Sequence, residues 1–257
     1  MKKMSFLSTS LGVLLLCSAC SVMQPVHESL PPETLGPWGF RLGYIVGSSP
    51  TIATNLGTPQ DNTSYNTPLE GIRLDAGLGE NLELDYDAYA GGAAASGNSV
   101  ALRWQILGKP LFEAKEGDNA LTVGARYTSG SAPGLTSSTI TQSTYYSSDL
   151  SLNSYDFSLV YGHRFTNAFG GYAGAKDITG NVTGNFHAVN NGPVVYTESK
   201  GFTSYGALAG LYLSILGKNG GVDLNFETEY MNLPSTYSAN SNWVANYSFS
   251  IAVPFHF

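Results

Sequence analysis

Residues 83–87 read Glu-Leu-Asp-Tyr-Asp, so Glu83, Asp85 and Asp87 stand at alternate positions. Alternate side chains of a strand share a face. Carboxylates held that close can share a proton and serve as acid and base on one substrate. Hydrolysis of that kind also needs a partner, most often a histidine. The chain has four, His27, His163, His187 and His256, and none has an acid two residues away. Neither His163 nor His256 has a serine placed to act as its nucleophile. There is no G-x-S-x-G, H-E-x-x-H, phosphate loop or C-x-x-C. No enzyme, cofactor or metal centre is expected.

The three acids belong to a larger set. All five arginines, Arg41, Arg73, Arg103, Arg126 and Arg164, fall on the polar parity of an alternating pattern, and so do Asp75, Glu83, Asp85, Asp87, Asp156, Asp223, Glu227 and Glu229. The elements that position them are ten strand candidates at about 38–47, 71–78, 82–89, 100–106, 121–127, 154–162, 169–178, 205–215, 222–230 and 243–257, the seventh the weakest. In each, large apolar residues take one parity and small or charged ones the other. A Gly79-Glu80-Asn81 turn pairs Leu78 with Leu82. Counting back sets Arg73 opposite Asp87 and Asp75 opposite Asp85. An Arg73–Asp87–Arg103 cluster is expected. The acids of the ninth strand must reach across to Arg41, Arg126 or Arg164, or stay hydrated.

Long connections (48–68, 129–151, 180–201) fall mostly at one end of the strands, and short turns mostly at the other. Charged residues make up 12% of the 257, about half the usual share of roughly 25%. The net charge of −7 argues against nucleic acid as a partner. Little charge, small residues on the polar face and aromatics near the ends of the apolar face describe a barrel with its apolar side outward. A lipocalin-like soluble barrel alternates too, but its polar face would be crowded with solvated charge.

Residues 1–19 read as an export signal. Lys2 and Lys3 precede the apolar stretch Leu11–Leu16, which is too short to span a bilayer as a helix. Ser18-Ala19-Cys20 resembles the end of a bacterial lipoprotein signal, which implies lipidation of Cys20; Cys17 departs from that pattern. Residues 20–36, with three prolines and no periodicity, read as the lipidated cysteine and a periplasmic tether. Residues 37–257 form the barrel domain.

Over 37–257 the chain resembles a small bacterial outer-membrane β-barrel. The resemblance is carried by the alternation, the aromatic ends and the terminus Val253-Pro-Phe255-His-Phe257. It implies an all-β, single antiparallel up-and-down transmembrane barrel of about ten strands, with eight or twelve as alternatives, in the outer membrane of a Gram-negative cell. It implies outer-membrane lipid, the barrel-assembly machinery and lipoprotein sorting as partners, with Phe257, Phe255 and Val253 as the assembly signal. Barrel proteases of that class pair two acids with an Asp–His pair at the outer rim, and only Asp85-x-Asp87 matches. The expected role is structural or surface-interacting, with a surface ligand conceivable through 129–151 and 180–201. The alternatives are a small cation-preferring porin and a soluble lipocalin-like lipoprotein.

Overall fold

A computed structural model describes residues 21–25, 27–53, 66–91, 95–132, 137–138, 145–187, 193–234 and 241–257. Ten antiparallel strands form the wall: β1 Gly39–Ala53, β2 Asn66–Gly77, β3 Leu82–Gly91, β4 Ser96–Leu107, β5 Asn119–Ala132, β6 Tyr145–Arg164, β7 Phe169–His187, β8 Val194–Leu216, β9 Gly221–Pro234 and β10 Ser241–His256. Each pairs with its sequence neighbour, and β10 returns to β1 through Ser248↔Gly47 to His256↔Gly39. The barrel is closed, so no strand edge is left to meet lipid. Two short pieces lie apart from the wall: Ser137–Ser138, and Ser21–Met23, which pairs with Thr51–Ala53.

Alternation decides the faces. Leu42, Tyr44, Leu74, Trp104, Phe157, Leu211, Phe226 and Ile251 point outward and are exposed, while the charged parity is buried inside. This inverts a water-soluble barrel and matches a lipid solvent. Aromatics mark the two interfaces. Trp243 stacks on Tyr230 at 4.8 Å and meets Tyr205 edge-on at 5.8 Å toward the long-connection mouth; Phe40 meets Phe257 at 6.1 Å at the short-turn mouth. No helix among the described residues is long and apolar enough to cross a membrane; the crossing elements are strands.

Two expectations need correction. The connections 129–151 and 180–201 are largely strand: β6, β7 and β8 run 20, 19 and 23 residues, roughly twice the 9–11 that span a bilayer. Their far halves pair in register, for example Thr197↔Asn185 and Ser199↔Thr183. Beyond the lipid the outward face is wet, so the ladder continues after the outward hydrophobic period stops, while Leu150, Leu152, Val182 and Phe202 stay buried on the inward face. The second correction concerns residues 20–36. The described part from Gln24 onward is no periplasmic tether: Gln24, His27–Leu30 and Glu33–Leu35 are buried within the barrel. The segment enters at the long-connection mouth, where the Gln24 amide donates to the Pro50 carbonyl, and leaves at the other, where Leu111 N–H donates to the Thr34 carbonyl. Cys20 and the signal region lie outside the described residues.

Candidate functional site

The threaded segment and the wall side chains around it form one polar assembly. A strand in a ladder satisfies its backbone by pairing; this segment has no ladder, and its groups must find side chains. Carbonyls meet the cations and hydroxyls of the wall. Arg126 donates to the His27 carbonyl at 2.7 Å, Arg73 to that of Glu28 at 2.5 Å, Arg103 to that of Pro31 at 2.6 Å, and Thr122 to that of Pro32. Amides meet the acceptors. Leu35 N–H donates to Glu83 at 2.7 Å and Thr34 N–H to Gln105 at 2.8 Å. Ser29 has a left-handed φ of 47°, and the successive amides of Glu28 and Ser29 both bond the Glu227 carboxylate, at 2.9 and 3.1 Å. Pro25, Pro31 and Pro32 bring no N–H and so leave no donor to satisfy.

Nearest the short-turn mouth, Arg41 pairs with Asp75 and with Glu83, both at 3.1 Å, and reaches Asp223 at 4.0 Å. Arg103 pairs with Glu83 at 2.5 Å. Arg164 pairs with Glu33 of the segment at 2.6 Å, and Tyr212 donates to the same carboxylate at 2.8 Å. In the middle, Arg73 grips Asp87 with two bonds, at 2.6 and 3.0 Å, and Ser99 donates to Asp87 at 3.1 Å. Lys176 lies between Glu28 at 3.2 Å and Asp156 at 3.3 Å. Toward the long-connection mouth the inner face turns apolar, with Ile45, Leu69, Tyr89, Leu152, Ile178 and Met231 in one buried cluster.

All thirteen wall charges singled out in the sequence therefore lie inside. The registers Arg73↔Asp87 and Asp75↔Asp85 are as counted from the turn. The expected Arg73–Asp87–Arg103 cluster is corrected. Arg103 sits in register with Glu83 and binds it, while the second cation near Asp87 is Arg126, at 3.7 Å. The acids of β9 do not depend on distant arginines alone, because Glu227 is met by the segment's amides and by the Tyr172 hydroxyl at 2.8 Å. Four charged or basic participants lie outside the thirteen: Lys176, Glu28, Glu33 and His27. Lys176 was the one lysine on a strand candidate, and that signal could have found it. The other three sit in an aperiodic stretch that gives no sign of burial.

Among the described residues, ten acids are buried inside (Glu28, Glu33, Asp75, Glu83, Asp85, Asp87, Asp156, Asp223, Glu227, Glu229) against six cations (the five arginines and Lys176). The excess is concentrated in two groups, Asp75–Glu83–Asp85 and His27–Glu227–Glu229, whose ligand atoms lie within 4.8 Å of one another. Outside the wall, Asp118 in the β4–β5 connection accepts from the Lys115 amide and from the Lys109 ammonium, which hold its carboxyl below the usual range. An Asp–His pair does exist, across strands rather than within one: His187 Nε2 is 3.1 Å from Asp149 near the far ends of β7 and β6. Asp85 is sealed in the lumen close to the opposite mouth.

Fold and lumen together define the class: a ten-stranded membrane-spanning β-barrel with a polar, charge-packed interior. No family model matches the chain, and no curated protein matches it in sequence. Among solved structures it is similar to the attachment invasion locus protein Ail of Yersinia pestis, solved with the heparin analogue sucrose octasulfate (14% identity, 85% of this chain and 97% of that one, TM-score 0.38). It is also similar to the outer membrane protease OmpT of Escherichia coli (10%, 88% and 100%, TM-score 0.42) and to Neisserial surface protein A (12%, 85% and 96%, TM-score 0.35). Likenesses of this size carry no argument about what the chain binds or does.

Proposed function

We propose that this protein is an outer-membrane barrel sealed by its own N-terminal segment, serving as a scaffold that presents the extended β6–β8 sheet at the cell surface. The observation that carries the reading is the lumen itself. Residues Gln24, Pro25 and His27–Leu35 occupy it, and their backbone is bonded to side chains from β2, β3, β4, β5 and β9. Eight-stranded barrels fill with side chains and sixteen-stranded ones hold a channel. Ten strands leave room for one extended chain, and this protein supplies it. A dedicated hydrolase is disfavoured, since Asp85 is closed off from solvent and the Asp149–His187 pair lies toward the other mouth.

Lipidation of Cys20 belongs to this reading. Ser21 pairs at the long-connection end of β1, so the acyl chains would lie at the outer rim and not at the periplasmic one. The porin reading is supported by the acid excess of the lumen, which would favour cations, and it requires the segment to leave. Single-channel recording of the intact purified barrel should be silent. A variant lacking residues 21–35, still closed by heat-modifiable migration, should conduct with cation preference. A steady conductance from the intact barrel overturns the sealed-scaffold reading.

A further inference from the structure

The group His27–Glu227–Glu229 lies where the threaded segment meets β9. His27 Nε2 is 2.5 Å from the Ser48 carbonyl oxygen. A carbonyl only accepts, so the ring proton is on Nε2 and the lone pair is on Nδ1. That lone pair faces two carboxylates: Nδ1 is 3.8 Å from Glu227 Oε1 and 3.8 Å from Glu229 Oε2. All three side chains are buried. Nδ1 has no hydrogen-bond partner, and neither has either oxygen of Glu229. Glu227 is met by the Glu28 and Ser29 amides and the Tyr172 hydroxyl, but Nδ1 and the Glu229 carboxylate converge in a dry interior with no donor hydrogen-bonded to either, which costs desolvation. Lys176, whose charge also acts on Glu229, is paired with Glu28 and Asp156.

We infer that these three residues bind a divalent transition metal of the zinc class, which fastens the threaded segment to the wall. Two donors sharing a metal at about 2.1 Å stand about 3.4 Å apart at the tetrahedral angle and about 4.2 Å at most; the separations of 3.8 Å fall between. A direct imidazolium–carboxylate bond would be about 1 Å shorter. The outer contacts are those of a ligand set. The Nε2 proton on a backbone carbonyl orients a metal-binding histidine, and Glu227 is itself fixed by the amides of Glu28 and Ser29. The imidazole donor selects against magnesium and calcium, which take oxygen. The ion's two charges balance Glu227 and Glu229. The sequence shows nothing of this, because His27 is 200 residues from Glu227 and in no motif.

The inference rests on the threaded segment and not on the barrel being silent. A conducting barrel that holds zinc would sink the scaffold reading and keep the site. The experiment uses tag-free, full-length barrel in detergent, stripped with chelator during refolding and then exposed to Zn²⁺ or Co²⁺. One ion per barrel by elemental analysis is expected, with a cobalt absorption spectrum of low-coordinate N/O ligation. His27→Gln and Glu229→Gln, each shown closed by heat-modifiable migration, should each lose at least ten-fold in affinity. Metal-free wild type, or stoichiometric metal kept by both variants, overturns the site. Should the variants fail to close, the wild-type cobalt spectrum decides, and that of aqueous Co²⁺ counts against it.

Discussion

At the scale of single residues, part of the inner face packs aromatic rings over glycines. Tyr172 is in register with Gly210 on the neighbouring strand, and Tyr212 with Gly170. A Cβ at Gly210 would collide with the Tyr172 ring, and one at Gly170 with that of Tyr212. Tyr172 has no freedom to retreat, since its hydroxyl is bound to Glu227 and Asn225. Gly210→Ala should therefore cost about 1–3 kcal/mol by overpacking. Gly79→Ala, at a turn where a Cβ meets nothing within 4 Å, should stay within about 0.5 kcal/mol. Equilibrium unfolding in detergent measures both, and equal effects would remove the ring-on-glycine account. What could be read beforehand follows the same division. Arg73 opposite Asp87 came from counting residues across a short turn. The partner of Arg103 needed its register with Glu83, and the Gly-, Ala- and Ser-rich run 91–98 does not mark where the pairing of β3 with β4 stops.

At the scale of elements, the ten strands were legible because lipid on one side and a crowded lumen on the other impose period two. The signal fades where that contrast fades. The far halves of β7 and β8 pair Thr with Asn and Ser with Thr outside the lipid, so they looked like loops. The threaded segment was hidden for a different reason. Its backbone bonds to side chains contributed by distant strands, and no local pattern records that. Its direction has a consequence for Cys20. With Ser21 beside Ala53, the N-terminal end lies at the same mouth as the extended sheet. Labelled palmitate should be incorporated by the wild type and lost in Cys20→Ser. On intact cells, a membrane-impermeant thiol reagent should label Thr197→Cys, exposed on the far half of β8 at that mouth, and spare Lys115→Cys in the β4–β5 connection. The reverse labelling pattern would place the lipid on the periplasmic side.

At the scale of the whole molecule, two solvents and a closed circuit have to be reconciled. The wall closes only when β10 has found β1, and that seam is short: it runs from Gly47 to Gly39 on one side and from Ser248 to His256 on the other. Phe255 stands opposite Phe40, and Phe257 packs edge-on against the same ring. Phe257 is 83% exposed, the highest among the large apolar side chains facing outward, as expected of an anchor in the interface. At that exposure it carries little of the folded barrel's packing. Its removal should therefore act on insertion and seam closure more than on the finished state. Deleting Phe257 should lower the yield of heat-modifiable barrel in cells several-fold. The fraction that does close should unfold within about 1 kcal/mol of the wild type. A deletion that assembles normally but unfolds far more readily would assign Phe257 to the structure of the seam and not to its assembly.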